Sequence, residues 1–218
     1  KKYWILRLNL APAKLSGFNT CASASKGCES ACLHTAGNPV FMSQKTLGRV
    51  NRTRFYFQNR AKFIAKLLRE ITNHEVYCFK NGFKPVVRLN TTSDIPFEIH
   101  GIFELFPNIQ FYDYTKIKKR ALKFAKGLYP KNYHLTFSLN EENYNDSMDI
   151  LKAGGNVAVV FRHDPPKTYK GFKVIKGDEH DLRFTDPKNV IVGLKEKLHL
   201  SPITNKLVRD YSGFVIEA

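Results

Sequence analysis

The sequence has little cysteine, few acidic residues and no long apolar run. Its longest apolar stretches, such as residues 157–161, are far shorter than the roughly 20 residues that a membrane-spanning helix needs. Four cysteines in 218 residues are too few for a disulfide-rich secreted scaffold. The first residues carry charge within an apolar run and show no small-residue cleavage site, so they do not predict a signal peptide. We therefore expect an intracellular protein with reduced thiols and no membrane partner.

The composition predicts a globular chain with a basic surface. Hydrophobic residues make up 43% and aromatic residues 13% of the sequence, which is enough for a packed core. Lysine and arginine number 35 against 19 acidic residues, giving a net charge of +16. Such a surface attracts polyanions, although high charge also serves solubility alone. If one basic helix face binds a polyanion, that face must be exposed, and its residues are Arg49, Arg52, Arg60, Lys62, Lys66 and Arg69. Nucleic acid and an acidic redox protein are therefore the candidate partners, and the oligomeric state stays open.

Short apolar runs alternate with helical patterns along most of the chain. The periodicity predicts helices over residues 46–72, 96–105, 115–126 and 143–153. The β-like runs span residues 3–10, 84–90, 109–114, 133–138 and 157–161. Repeated β-α units favour an α/β fold with a mainly parallel sheet of five or six strands, curled into a partial barrel. We predict one domain over residues 1–218, in which residues 164–218 form a strand-rich extension.

Three cysteines lie within twelve residues, at Cys21, Cys28 and Cys32, directly after the first predicted strand. Clustered reduced thiols usually hold a metal, and the small residues between them let backbone N–H groups approach cluster sulfurs. Three thiolates can bind three irons of a [4Fe–4S] cluster and leave the fourth iron open. Zinc is the alternative, with His34 or Cys78 completing a tetrahedron. Unmetallated thiols are the third interpretation, and Cys78 by itself is better interpreted as a core residue.

Polar residues follow several predicted strands, and in a parallel sheet such strand ends lie on one face. Each of these residues can also be a helix cap or scaffold. A later segment, residues 177–183, combines three carboxylates, a histidine and an arginine. It can serve acid–base or metal chemistry, but a polar turn with Arg183 paired at the surface to Asp181 or Asp186 is the favoured interpretation. The candidate cofactor-binding residues are Ser93, Asp94, Asp113, Tyr114, Lys116, Ser138, Asp178 and His180.

Two resemblances follow from these motifs. A three-cysteine loop after the first strand of a β-α repeat resembles the radical S-adenosylmethionine enzymes, which implies a partial barrel carrying a [4Fe–4S] cluster with one open iron. Their usual spacing is Cys-x3-Cys-x2-Cys, whereas this loop reads Cys-x6-Cys-x3-Cys. Over nearly its whole length the chain resembles the phage family called gene product eighty-eight. That likeness rests on the cysteine loop and on residues 88–95, 111–116 and 177–184, and it implies a viral iron–sulfur protein.

These observations lead to three candidate functions. The first is a phage iron–sulfur protein with a redox or electron-transfer role in the cytoplasm of the infected host cell. The second is a radical-type enzyme that uses the open iron to hold and cleave a cofactor. The third is a nucleic-acid-binding protein in which the cluster or a zinc ion is structural. The sequence predicts no catalytic residue, so enzymatic activity stays an open question.

Overall fold

The fold was analysed in a computed structural model that describes residues 2–35, 43–201, 204 and 206–218. Helices and strands alternate through the first three quarters of the chain, and strands dominate the last quarter. The described helices are α1 (Lys26–Ser30), α2 (Ser43–Gln58), α3 (Arg60–Lys80), α4 (Ile102–Leu105), α5 (Lys118–Ala125) and α6 (Tyr144–Lys152). The strands are β1 (Tyr3–Arg7), β2 (Lys84–Arg88), β3 (Gln110–Thr115), β4 (Tyr133–Ser138), β5 (Val157–Phe161), β6 (Thr168–Tyr169), β7 (Phe172–Lys176), β8 (Ile191–Lys195), β9 (His199–Leu200) and β10 (Leu207–Val208).

Eight strands form one sheet in the order β1-β2-β3-β4-β5-β8-β7-β6. The pairings β1/β2, β2/β3, β4/β5, β5/β8 and β7/β8 are parallel, and β6/β7 is antiparallel. The predicted α/β class with a mainly parallel sheet is therefore confirmed. The sheet has more strands than predicted because the run after residue 164 adds β6, β7 and β8 to it. Among the described strands, β1 and β6 stand at opposite ends of this order, so no closed barrel is formed.

Parallel strands are covered on both faces, and the sequences of the inner strands reflect this. Strand β5 reads Val-Ala-Val-Val-Phe and is buried at four of its five positions. It pairs with β8 over five residues, from Val157 opposite Ile191 to Phe161 opposite Lys195. This continuous apolar run therefore becomes an inner strand of the sheet, over the residues for which the sequence predicted a parallel strand.

The single helix predicted over residues 46–72 is wrong: two helices, α2 and α3, meet at Asn59. Asn59 has φ −138° and ψ 54°, outside the helical region. The break lets rings on both sides pack, since Phe63 meets Phe55 and Tyr56 edge to face at 5.6 and 5.3 Å between centroids. Helix α3 then continues to Lys80. None of the described helices is long and apolar enough to cross a membrane.

The chain divides into two compact units. The first consists of Lys1–Cys21, Ser43–Asp113 and Tyr129–His134, and the second of Ala22–Met42, Tyr114–Leu128 and Leu135–Ala218. In the first unit, α3 buries a face formed by Phe63, Leu67, Ile71, His74 and Cys78. The core of the second unit is built from α5, α6 and the strands β4, β5, β7 and β8, with Phe137, Ile150, Leu151, Val157, Phe161 and Ile191 among its buried residues.

Candidate functional site

Cys21 ends the first unit, in a loop held by buried hydrogen bonds. The Thr20 hydroxyl donates to the Ala11 carbonyl over 2.7 Å, and the Thr92 hydroxyl donates to the Leu10 carbonyl over 2.7 Å. The Cys21 Sγ accepts the Ala13 backbone N–H over 3.5 Å and donates to the Thr92 carbonyl over 3.8 Å. Amide donation to sulfur favours the thiolate, which is the form that binds metal, whereas the contact with the carbonyl requires the thiol. The thiol of Cys21 is half-buried, so it can be reached from solvent.

Cys28 and Cys32 belong to the second unit and lie on and just after the five-residue helix α1. The Ser25 hydroxyl caps this helix by accepting the Cys28 N–H over 3.2 Å. The Cys32 Sγ accepts the His34 backbone N–H over 3.5 Å, which repeats the arrangement at Cys21. Both thiols are half-buried. Two of the three loop cysteines therefore have an amide donor at sulfur, and all three are partly accessible.

The start of α1 is fixed by Glu141, which the sequence did not single out. Its Oε2 accepts the Ser25 hydroxyl and its Oε1 accepts the Gly27 N–H, each over 2.7 Å. Burial acts to raise the pKa of Glu141, but the hydrogen bonds from Ser25 and Gly27 outweigh it and hold the pKa below its ordinary value. Glu141 is therefore an ionised anchor for the helix that carries Cys28.

We expect Gly27→Ala to lower the free energy of unfolding by about 1–3 kcal/mol, the usual cost of overpacking. A Cβ at this position would lie 2.0 Å from Ser212 Oγ and 2.7 Å from Glu141 Oε1. The matched control is Gly48→Ala in α2, where the added Cβ meets nothing nearer than 3.8 Å. Urea denaturation of both variants should separate them, and equal stability would show that α1 does not pack closely on Glu141 and Ser212.

The thiols do not form a ready metal site in this arrangement. In the part of the chain that the structure describes, no three side chains of histidine, cysteine, aspartate or glutamate stand close enough together to hold a metal ion. The donor chemistry of the loop suits a soft metal centre, but binding requires the thiols to move together. Cys78 lies elsewhere, fully buried 3.7 Å from His74 Nε2, and burial raises the pKa of its thiol.

Three strand-end candidates of the first unit take part in scaffold hydrogen bonds. Asp113 is 1% exposed and accepts the backbone N–H of Asn90 over 2.7 Å and the Asn90 Nδ2 over 3.2 Å. The Ser93 hydroxyl donates to Asn90 Oδ1 over 2.9 Å. The backbone N–H of Asp94 donates to the Thr20 carbonyl over 2.8 Å. These hydrogen bonds tie the segment after β2 to the end of β3 and to the chain before Cys21.

The strand ends of the second unit meet at a polar cleft. Lys116 Nζ donates to the Ser138 hydroxyl over 2.9 Å and lies 5.4 Å from the centre of the Phe214 ring. Tyr114, the remaining candidate on this stretch, is half-buried within β3. The cleft has a volume of about 460 Å³ and includes three residues of the cysteine loop. Its lining is Ala22, Ser23, Ala24, Lys116, Ile117, Lys118, Lys119, Asn140, Glu142, Asn143 and Asp146.

The charges at this cleft largely balance. Lys118 Nζ pairs with Asp146 and Asp149, each at 2.8 Å, and these hydrogen bonds raise the lysine pKa and lower that of Asp149. Asn140 is 4% exposed, and its Oδ1 accepts the Glu142 N–H over 3.0 Å. The cleft therefore offers both hydrogen-bond donors and carboxylates beside the cysteine loop.

Residues 177–183 form a turn between β7 and β8. Asp178 Oδ2 accepts the Lys195 backbone N–H over 2.7 Å, and the exposed His180 accepts the Leu182 N–H at Nδ1 over 3.3 Å. The pair of Arg183 and Asp186 is buried, at 3.3 Å with side chains 0% and 3% exposed, so its predicted surface position is wrong. Burial raises the pKa of Asp186. Arg183 also donates to the Gly177 and His180 carbonyls. Its buried guanidinium therefore stabilises the turn through hydrogen bonds to the backbone.

The basic residues of α2 and α3 are only partly at the surface. Arg49 is 4% exposed, so the expectation that it lies on an open basic face is wrong. Arg52 and Arg54 donate to the carbonyls of Asn9 and Ser16, each over 3.1 Å. Lys62, Lys66 and Arg69 of α3 are exposed and share one side of the helix. We call these three residues the basic stripe of α3. They are the part of the predicted basic helix face that is fully exposed along one side of the helix.

Sequence reasoning missed two residues of the second unit that the structure places near the cysteine helix, Glu141 and His199. Glu141 comes three residues after the end of β4, so its position near a strand end was a usable signal. His199 lies on β9, with its Nε2 3.4 Å from the Ser30 hydroxyl of α1, and no local pattern marks it. Side chains that meet across more than a hundred residues leave no spacing in the sequence.

Comparison with known proteins gives one match. The family model described as gene product 88 matches residues 1–217. No curated protein and no solved structure matches the chain. The match covers the cysteine loop, the strand-end residues and the turn after β7 together. The chain therefore belongs to the gene product 88 family of bacteriophage proteins.

Proposed function

We propose that this phage protein binds a [4Fe–4S] cluster through Cys21, Cys28 and Cys32 and acts as a redox protein in the cytoplasm of the infected host cell. The observation that carries the proposal is the hydrogen bonding at sulfur. The Ala13 N–H donates to Cys21 and the His34 N–H donates to Cys32, both at 3.5 Å. Amide donors of this kind stabilise thiolates and tune cluster potentials.

The contrast with Cys78 supports this assignment. The three loop thiols are half-buried, whereas Cys78 is 0% exposed and burial raises its pKa. A thiol that stays protonated in an apolar core is inert, while accessible thiolates bind metal. The loop therefore has the reactive cysteines of this chain, and Cys78 provides an internal control.

The test is the absorption spectrum of protein purified without oxygen and reconstituted with iron and sulfide. We expect a charge-transfer band at roughly 400 nm, the region where iron–thiolate clusters absorb. The band should disappear in Cys28→Ser and Cys32→Ser and remain in Cys78→Ala. A band that survives both serine variants would contradict the ligand assignment. A spectral change on adding S-adenosylmethionine would indicate a radical-type enzyme and would contradict a role limited to electron transfer.

The basic stripe of α3 favours a second function, the binding of nucleic acid. Lys62, Lys66 and Arg69 stand at i, i+4 and i+7 and are all exposed, so phosphates can follow them along one side of the helix. We expect the triple alanine variant to weaken DNA or RNA binding and to lower the salt slope by about 1 for each phosphate that the variant no longer binds. The cluster spectrum should not change.

The matched control removes three other exposed lysines, Lys167, Lys173 and Lys176, from the second unit. It changes the net charge by the same amount but leaves the stripe intact. Fluorescence anisotropy over a range of salt concentrations measures both variants. If the two variants bind equally well, the stripe has no special role and general charge accounts for any binding.

A further inference from the structure

Three aromatic rings form a cluster at the surface of the first unit, where β1 meets the end of α3. Trp4 and Phe83 stack with their ring centroids 5.2 Å apart and their planes 19° from parallel. Tyr77 stacks on Phe83 at 6.4 Å between centroids and lies 6.0 Å from Trp4. Trp4 and Tyr77 are each 46% exposed, and Phe83 is half-buried. We call these three residues the aromatic platform.

The exposure of the platform needs a physical reason, because aromatic side chains stabilise a fold mainly by burying their ring area. Helix α3 buries Ile71, His74 and Cys78, which leaves Tyr77 on the exposed side of the same helix. Trp4 belongs to β1, which is an outer strand of the described sheet. Several neighbouring exposed rings, unlike one exposed apolar residue, are typical of a binding surface.

The basic stripe of α3 leads along the helix to this platform. Lys80 comes about five helical turns after Lys62, so the two residues lie on the same side of α3, about 27 Å apart. Tyr77 is three residues before Lys80 and therefore lies on that side as well. The helix has five basic residues against two carboxylates, and all three residues of the stripe and Lys80 are exposed. An exposed row of positive charge therefore ends beside the stacked rings.

A further lysine lies at the other edge of the platform. The Lys84 N–H donates to the Lys2 carbonyl over 3.0 Å, so the extended pairing of β1 with β2 continues to Lys2. Alternate residues of an extended chain share one face, which places the exposed Lys2 on the face of Trp4. The rings thus lie between Lys2 and Lys80. Proteins that bind single-stranded nucleic acid combine such cations, which contact phosphates, with aromatic rings on which bases stack.

We propose that the aromatic platform stacks with unpaired bases of a single-stranded nucleic acid whose phosphates follow the basic stripe of α3. The inference rests on the second proposed function, nucleic-acid binding, and names single strands as the ligand. A duplex does not fit the platform, because its bases are already stacked on one another. A second copy of the chain fits less well than a polyanion, because it would bring the same net charge of +16 to a basic surface.

The test uses the fluorescence of Trp4, the single tryptophan of the sequence. We expect a single-stranded oligothymidylate to quench this emission and a duplex of the same length to leave it nearly unchanged. Tyr77→Leu keeps an apolar side chain but removes a ring, so it should weaken single-strand binding by about five-fold or more. Its salt slope should stay the same, because stacking neutralises no phosphate.

The matched control is Phe79→Leu. It also removes a ring of α3, one that is 88% exposed. Phe79 is two residues from Tyr77 and therefore does not face the platform. We expect this variant to bind the oligothymidylate as tightly as the unaltered chain, with the same quenching of Trp4.

The outcomes separate the platform from nucleic-acid binding in general. Binding without quenching, equal quenching by the duplex, or full affinity in Tyr77→Leu would overturn the platform and leave binding by the stripe in place. A chain that binds neither single strand nor duplex would overturn the second proposed function itself. Dimerisation in sedimentation experiments that Trp4→Leu abolishes would assign the platform to a second copy and overturn the proposal. A parallel titration with oligouridylate shows whether RNA or DNA is bound more tightly, and tight binding of either supports the proposal.

Discussion

Replacing Arg162 with methionine is expected to lower the free energy of unfolding by about 3–5 kcal/mol, because it leaves a buried carboxylate without its main partner. Arg162 Nη1 pairs with Glu196 at 2.6 Å, and the two side chains are 5% and 3% exposed. Arg162 Nη2 also donates to the Asp210 carbonyl over 2.6 Å and to Glu217 over 2.7 Å. These bonds attach the end of β5 to the C-terminal segment of the second unit.

Urea denaturation followed by circular dichroism measures this effect. The matched control is Arg209→Ala, which removes a half-exposed arginine 2.9 Å from the other oxygen of Glu196. Exposed pairs contribute about 0–1 kcal/mol, so the control should unfold close to the unaltered chain. If the two variants lose equal stability, the network around Arg162 has no special role in the fold.

The same network predicts how stability depends on pH. Burial acts to raise the pKa of Glu196, but the hydrogen bonds from Arg162 and Asp210 hold it below its ordinary value, and Arg162 also lowers the pKa of Glu217. A carboxylate whose pKa is lower in the folded chain stabilises the fold above its unfolded pKa. That stabilisation disappears as the pH falls through the folded-state pKa. The Arg162 variant should therefore lose less stability on acidification than the unaltered chain.

The second large effect is expected at Asp113, where alanine should cost about 2–6 kcal/mol because two buried donors lose their acceptor, at about 1–3 kcal/mol each. Those donors are the backbone N–H and the Nδ2 of Asn90, which is 2% exposed. The control is Asp149→Ala, an exposed carboxylate whose partner Lys118 keeps Asp146. If Asp113→Ala kept full stability, the scaffold role that the hydrogen bonds of Asp113 indicate would be contradicted.

The inner strands β4 and β5 were predictable because each is a short, largely apolar run that is mostly buried in the sheet. Residues 133–138 and 157–161 were predicted with the bounds that the structure gives to β4 and β5. The break at Asn59 was not predictable from periodicity, because the apolar spacing continues through it. The rings of Tyr56 and Phe63 that pack across the break become neighbours only when the helix ends there.

The burial of two arginine side chains could not be predicted from charge and spacing. Charge and spacing put Arg49 on an open basic face and Arg183 in a surface pair, yet they are 4% and 0% exposed. Charge and spacing give no sign that Arg183 donates to the Gly177 carbonyl of its own turn and is buried there. Net charge therefore overstates the basic surface of this chain.

The candidate site was predictable where it lies at strand ends and unpredictable where it depends on distant segments. Lys116 and Ser138 were identified from their positions after β3 and β4, and their side chains meet at 2.9 Å. Glu141 and His199 reach α1 from 114 and 169 residues away along the chain. The local spacing of residues in a single sequence does not indicate which residues pair over such long separations.

The most direct test of the account is chemical analysis of iron, acid-labile sulfide and zinc in protein purified without oxygen. The proposal predicts iron and sulfide in equal amounts, bound in the unaltered chain and in Cys78→Ala and absent from Cys28→Ser. Stoichiometric zinc without iron or sulfide would contradict the iron–sulfur cluster. A chain free of all three would contradict a metal centre at Cys21, Cys28 and Cys32 altogether.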